Sequence, residues 1–344
     1  MYHSERFRQL DEETFVYQLP DDRDFKILQL TDLHLGYGIL SGKEDAMACR
    51  AIKTIIQKTK PDLIVLTGDL IFPFLLRAGT MNNGKEAKEL TKFMDAFQIP
   101  YVIVLGNHDA EKGAFYRKDK LMTLFAKGKY SICARGKKEI SGIGNYMIQL
   151  KDTSNKTALA LVMLDSNMNS NSWFFSGFDW IHEDQTDWCM RRLEKLKESN
   201  PKLKALAFFH IPPAEMKEAY EKMKLGDHSI RYQHGSIAES GEYFGISNNK
   251  STFFSKAVKA GIIKGTFFGH DHLNTLSLIY HGIQLTYGMS IDYLGYPKIG
   301  KKYTQRGGTL ITRRLDGTIA VKPVPLDRVV SNRIHGIRDS RNDR

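Results

Sequence analysis

Along this chain, apolar runs repeatedly end in polar residues of the kind that bind metals or move protons. The stretch KILQLTDLH carries Ile27, Leu28 and Leu30 and closes on Asp32-x-His34. Four to eight apolar residues closed by polar ones read as a buried strand. The pattern returns in DLIVLTGD, ending in Gly68-Asp69, and in YVIVLGNHD, ending in Gly106-Asn107-His108-Asp109. It returns again in LKALAFFHIP, ending in His210, and in GTFFGHDH, ending in Gly269-His270-Asp271-His272. Chance accounts for one such ending easily and for five poorly. Open α/β sheets place their sites just past the C-terminal ends of strands. Positions i and i+2 of an extended chain share a side, so Asp32 and His34 are expected to face one spot.

Between these runs the spacing changes to a helical one. EDAMACRAIKTIIQK and AKELTKFMDAF predict helices that stop at Pro61 and Pro100. Further helices are expected over 111–126, from about Asp184, and in STFFSKAVKAG. Strand, helix, strand makes a parallel unit with a right-handed crossover. Later stretches, YSICARGKKEISGIGNYMIQL and KTALALVMLDS, read as antiparallel strands around the polar turn at 152–156. Asp316-Gly317 between alternating runs predicts a hairpin. Residues 211–250, with scattered Gly, His and Tyr, read as an irregular lid or rim. The expectation is an α/β fold, a four-layer αββα sandwich of two mixed β-sheets. Its main domain would be 25–325, after an N-terminal arm at 1–24 whose patch Phe15–Leu19 could add an edge strand. A basic tail, 326–344, with five arginines would follow.

Composition narrows the class. Of 344 residues, 42% are hydrophobic and 26% charged, as in ordinary globular proteins. No apolar run approaches ~18 residues, so no membrane span is expected. The polar N-terminus lacks the order of a signal peptide. Cys49, Cys133 and Cys189 are unclustered and odd in number, which suits reduced thiols and a cytoplasmic location. The net charge of +11 favours an anionic partner such as a phosphate ester. Nucleic acid is a weaker expectation, since no basic cluster is interleaved with aromatics.

The strand endings suggest the chemistry. Carboxylate, amide and imidazole together suit Mn, Fe or Zn. Asp32, His34 and His272 can surround one ion; Asn107, His210 and His270 can surround a second; Asp69 has two oxygens and can bridge both. Two such ions, ~3.5–4 Å apart, clamp an in-line displacement at phosphorus and lower the pKa of a shared water. His108 is then free to protonate the leaving group, with Asp109 as the expected orienting partner of its ring. Gly68, Gly106 and Gly269 mark places where the backbone must turn sharply or come close to an ion.

The ordered set D-x-H, G-D, G-N-H-D, H, G-H-x-H, over residues 32 to 272, resembles the calcineurin-like metallophosphoesterase superfamily. The resemblance implies the αββα sandwich and two-metal ester hydrolysis. It implies Asp32, His34, Asp69 and His272 as ligands of one metal, and Asp69, Asn107, His210 and His270 as ligands of the other. His108 matches the catalytic histidine. Met163-Leu-Asp165-Ser, Gly177-Phe-Asp-Trp-Ile, His210-Ile-Pro and Tyr287-Gly-Met look like the purple-acid-phosphatase-related, Dcr2-like branch. Purple enzymes carry a tyrosine three residues after the Gly-Asp aspartate, and this chain has Phe72 there, so a colourless enzyme is expected. The expected activity is hydrolysis of a phosphate monoester, on a phosphoprotein or a small phosphorylated metabolite, by attack of a metal-bridging hydroxide. The alternatives are a phosphodiesterase acting on cyclic nucleotides or nucleic acid, and a non-enzymatic scaffold. Trp173, Phe174, Phe175, Phe178 and Trp180 could wall the substrate, and Arg77 could donate to its phosphate.

Overall fold

The computed structural model describes residues 7–168, 177–296, 299 and 305–327. The first half runs β1 (Phe7–Asp11), β2 (Thr14–Gln18), β3 (Phe25–Leu30), α1 (Gly42–Thr59), β4 (Leu63–Thr67), α2 (Leu75–Ala78), α3 (Asn83–Asp95), β5 (Tyr101–Val104), α4 (Lys118–Phe125), β6 (Ser131–Ile132), β7 (Tyr146–Lys151) and β8 (Thr157–Met163). The second runs α5 (Glu183–Ser199), β9 (Lys204–Phe208), α6 (Ala214–Lys224), β10 (Arg231–His234), α7 (Phe253–Ala260), β11 (Ile263–Phe268), β12 (Ser277–Tyr280), β13 (Ile283–Tyr287), β14 (Gly307–Arg313) and β15 (Ile319–Pro325).

These strands form two mixed sheets, one of six strands in the order β15-β14-β3-β4-β5-β6 and one of nine in the order β1-β2-β7-β8-β9-β11-β13-β12-β10. Side-chain alternation sorts the nine-stranded sheet into two faces. Tyr146, Ile148 and Leu150 of β7, with Leu206 and Phe208 of β9, join the core shared with the six-stranded sheet. Met147, Ala205, Ala207 and Phe209 point the other way, into the core beneath α5, α6 and α7. Helices α1 and α3 cover the outer face of the six-stranded sheet with Ala51, Ile52, Ile55, Leu90 and Met94. Polar bonds tie the sheets together. The Gln29 amide donates to Thr67 Oγ1 (2.9 Å) in its own sheet and to the Phe268 carbonyl (3.2 Å) in the other. The Tyr146 hydroxyl donates to the Ile103 carbonyl at 2.6 Å.

Strands β3, β4 and β5 are mutually parallel, and so are β9, β11 and β13. All six therefore end at the same edge of the sandwich, three from each sheet. That edge receives all five polar endings of the sequence.

Several local expectations are corrected. The helix foreseen at 111–126 begins only at Lys118. Ahead of it, the Asn83 amide donates to the carbonyls of Asp109 (3.1 Å) and Tyr116 (2.7 Å), and its oxygen accepts from Tyr116 N–H (2.9 Å), which holds 109–116 in turns. The supposedly irregular 211–250 contains α6, which buries Met216 and Ala219, and the edge strand β10. The antiparallel pair expected around 152–156 is present as β7–β8, but the later strands are not all antiparallel: β2–β7, β8–β9, β9–β11 and β11–β13 pair in parallel. The patch Phe15–Leu19 lies largely in β2, which is not an edge strand: it sits between β1 and β7. Trp173, Phe174 and Phe175, and the tail from residue 328 onward, lie outside the described residues.

Candidate metal centre

Backbone conformation delivers the polar endings before any side chain does. Asp32 (φ 50°), His34 (φ 45°), Asp69 (φ 50°) and His270 (φ 78°) all adopt left-handed conformations. For residues with a Cβ this costs on the order of 1–2 kcal/mol each, and such strain clusters at functional sites. The chain turns back sharply at each strand end and aims these groups inward. Gly68 and Gly106 complete the approach. A Cβ on Gly68 would overlap the His210 ring, and one on Gly106 would overlap the Asp69 carboxylate.

The side chains gather into two groups that share one member. Ligating atoms of His34, Asp69 and His272 lie within 4.8 Å of one another, and so do those of Asp69, His210 and His270. Asp69 Oδ2 stands 3.0 Å from His210 Nε2 and 3.7 Å from His34 Nε2. Asn107 Oδ1 lies 3.1 Å from His210 Nε2 and so belongs with the second group. Asp32 Oδ1 is 3.8 Å from His272 Nε2 and adjoins the first. All seven metal ligands expected from the sequence thus converge on one edge.

The arrangement fits cations. Asp32 and Asp69 are fully buried, and no lysine or arginine pairs with either among the described residues. Asp69 Oδ2 has no hydrogen-bond partner, which for a buried carboxylate oxygen costs about 1–3 kcal/mol or more unless an ion satisfies it. The histidines are held with one nitrogen turned inward. His210 Nδ1 faces the Thr67 carbonyl at 2.9 Å, leaving Nε2 toward Asp69. His272 Nδ1 lies 3.0 Å from Asp292 Oδ2, and His34 Nδ1 3.9 Å from Asp292 Oδ1. A close partner on the outer nitrogen fixes the tautomer and strengthens the inner one as a ligand; for His34, 3.9 Å is too long for a hydrogen bond. Electrostatics splits the four rings. Burial pushes His34 down to about 3 and His270 well below its usual value. For His210 burial acts the same way, but the Asp69 charge outweighs it and raises the ring to about 9; Asp292 and Asp32 do the same for His272.

His108 differs from the ligands. Its side chain is 32% exposed, whereas those of His34, His210 and His272 are nearly closed off. Its N–H anchors it to Asp69 Oδ1 (2.8 Å), and its Nε2 lies 4.0 Å from Asp69 Oδ2. The partner of its ring is Glu111, whose Oε1 sits 2.5 Å from Nδ1. This corrects the role expected of Asp109. That carboxylate is fully buried and accepts from the N–H groups of Leu70 (2.8 Å), Ile71 (3.0 Å) and Gly106 (2.7 Å). Asp109 ties two site loops together and does not reach the His108 ring as an orienter. Burial tends to lower the His108 pKa, but the Asp69 charge and the Glu111 hydrogen bond outweigh it and raise the ring above its ordinary value.

Other expectations resolve simply. Arg77 donates to the Leu294 carbonyl (2.8 Å) and braces the loop after Asp292. Phe72 packs edge-on against His34 (5.0 Å) and His108 (5.4 Å), so no phenolic oxygen is present there. Phe178 packs edge-on against His270 at 4.2 Å. Glu111 and Asp292 were missed. Glu111 was hidden inside a stretch read as helix, and Asp292 lies beyond the last recognisable block.

The family model for calcineurin-like phosphoesterases matches residues 25–274, and the chain belongs to that family. Among curated proteins it is 31% identical over 306 residues to the probable inactive purple acid phosphatase 29 of Arabidopsis thaliana, covering 80% of this chain and 74% of that one. The probable inactive purple acid phosphatase 28 of the same plant is 29% identical, over 80% of this chain and 72% of its own. The phosphatase DCR2 of Saccharomyces cerevisiae is 29% identical over 76% of this chain and 46% of its own length. Among solved structures, a dimetal phosphatase from Danio rerio superposes with a TM-score of 0.54 at 11% identity, covering 89% of this chain and 97% of that one. This last likeness concerns the fold. Among the described residues, no helix is long and apolar enough to cross a membrane.

Proposed function

We propose that this protein hydrolyses phosphate monoesters at a dinuclear metal centre, on a phosphoprotein or a small phosphorylated metabolite. The observation that carries the proposal is Asp69, the one carboxylate common to both ligand groups. Asp32, His34, Asp69 and His272 would hold one ion, and Asp69, Asn107, His210 and His270 the other. Bound there, two Mn, Fe or Zn ions would neutralise the phosphoryl oxygens and lower the pKa of water. The chain's own residues do the rest. Glu111 fixes the His108 ring through Nδ1, so Nε2 faces the centre. The Asp69 charge and the Glu111 hydrogen bond favour the protonated ring, which would donate from Nε2 to the leaving oxygen. Phe72, Phe178 and the buried ligand shell exclude water from the flank of the site.

A second reading, a metal-binding scaffold without turnover, draws on the names of the plant relatives, which describe those proteins as probably inactive. The full set of candidate ligands and the His108–Glu111 pair favour catalysis. Assay of metal-reconstituted protein on p-nitrophenyl phosphate separates the two. Turnover above the bis-ester rate is expected. Two bound ions with no turnover of either ester would support the scaffold.

A further inference from the structure

The end of the sandwich opposite the metal centre carries a second concentration of charge. Lys204 opens β9 and Lys264 lies near the start of β11, the strands whose far ends lead to His210 and His270. At about 3.3 Å per residue, this places them roughly 20 Å from the centre. With Lys197, Lys202 and Arg313 they line a cavity of about 580 Å³. A neighbouring cavity of about 240 Å³ shares Lys204 and Lys264. These volumes are in the range of small-molecule sites.

None of the five cations has an ion pair among the described residues. The Lys204 ammonium donates to the Gly317 carbonyl (2.8 Å) and that of Lys197 to the Ala260 carbonyl (3.2 Å). Each is thus held at the wall with two donors to spare. Two carboxylates, Asp152 and Asp316, also line the cavity and offset part of the charge. Both are already committed to turns. Asp152 accepts from the N–H groups of Ser154 (2.9 Å) and Lys156 (3.0 Å), and Asp316 from that of Thr318 (2.8 Å). A concave cleft with an excess of positive charge focuses its field, and an entering anion relieves the repulsion among the five cations. No histidine lines the cavity, so nothing there matches the hydrolytic centre.

We propose that this cleft is a separate binding site for a compact anion carrying several phosphates, held intact and not hydrolysed. Compactness follows from five cations around one concavity, and multiple phosphates from their number. The phosphates can come from a soluble polyphosphorylated molecule or from a lipid headgroup. The probe is inositol hexakisphosphate, titrated by calorimetry into the full chain at about 0.15 M ionic strength. A parallel titration of Asp69→Asn, which disrupts the metal centre, separates binding there from binding at the cleft. One-to-one binding is expected, weakened roughly 10-fold or more by Lys264→Glu with Arg313→Glu. The pair Lys202→Glu and Lys264→Glu, both exposed, should do the same if the Arg313 variant folds poorly. Lys53→Glu with Lys88→Glu makes the same charge change on exposed faces of α1 and α3, and should leave binding within about twofold. A phosphatidylcholine vesicle with a phosphatidylinositol bisphosphate tests the lipid source; loss of vesicle or soluble binding in the cleft variants supports the site. Absence of one-to-one binding, equal weakening by the control pair, or full retention in the cleft variants overturns it.

Discussion

The two halves of the centre hold their histidines by different means. In the first, Asp292 faces the outer nitrogens of both His272 and His34, and three backbone N–H groups, from Leu294, Gly295 and Tyr296, pin its carboxylate. In the second, the outer nitrogen of His210 meets only the Thr67 carbonyl, and Asn107 supplies a neutral oxygen. A carboxylate behind an imidazole makes it a stronger donor than a carbonyl does. On the proposed two-metal reading, the first half would hold its ion more tightly than the second. Among the described residues, Asp69 is the only carboxylate that joins the two groups.

Truncation of His108 is expected to have the largest effect of the single changes around this comparison. His108→Ala should lower kcat by about 10²–10⁴-fold, while both halves still load, as measured by steady-state kinetics beside elemental analysis. Loss of metal in parallel would assign His108 a holding role. Next comes Asp292→Asn, which should weaken one ion of the two by roughly 10–100-fold in a chelator competition series. Equal weakening of both ions would erase the distinction between the halves. Phe72→Tyr puts an oxygen beside His34 and His108, on the side of the first ion. In iron-loaded protein it should add a visible charge-transfer band that the colourless parent lacks, with little change in turnover. Absence of the band would mean that the 72 position does not reach the first ion.

The smallest effect lies outside both halves. Glu86 is fully buried with neither carboxylate oxygen hydrogen-bonded. Burial, then the charges of Asp45 and Asp109, push its pKa up from 4.5 to about 9. Between those values the folded chain keeps a proton that the unfolded chain has lost, so stability falls as pH rises through that window. Glu86→Gln should flatten that slope in thermal unfolding followed from pH 5 to 9. An unchanged slope would mean that Glu86 does not carry the buried proton.

The seven positions that converge at the candidate centre were legible because each closes an apolar run, and strand-end placement is a local signal. The sandwich was legible for the same reason, from strands and helices in a recognisable order. What escaped was non-local or conformational. Nothing in the sequence marks the left-handed backbone at Asp32, His34, Asp69 and His270, because a tertiary fold must hold it. Asp109 looked like the orienter of its neighbour His108, yet the ring turned to Glu111 and the carboxylate served the Gly106 and Leu70 loops. The helix α6 escaped because the glycines and histidines that follow it dominated the reading of its surroundings.

The most direct test is the number of metal ions per chain in the native protein and in Asp69→Asn, measured by elemental analysis after reconstitution and desalting. Two ions in the native chain and at most one in the variant are expected, because only this carboxylate belongs to both groups. Two ions retained by the variant, or fewer than one in the native chain, would contradict a centre built on a shared Asp69.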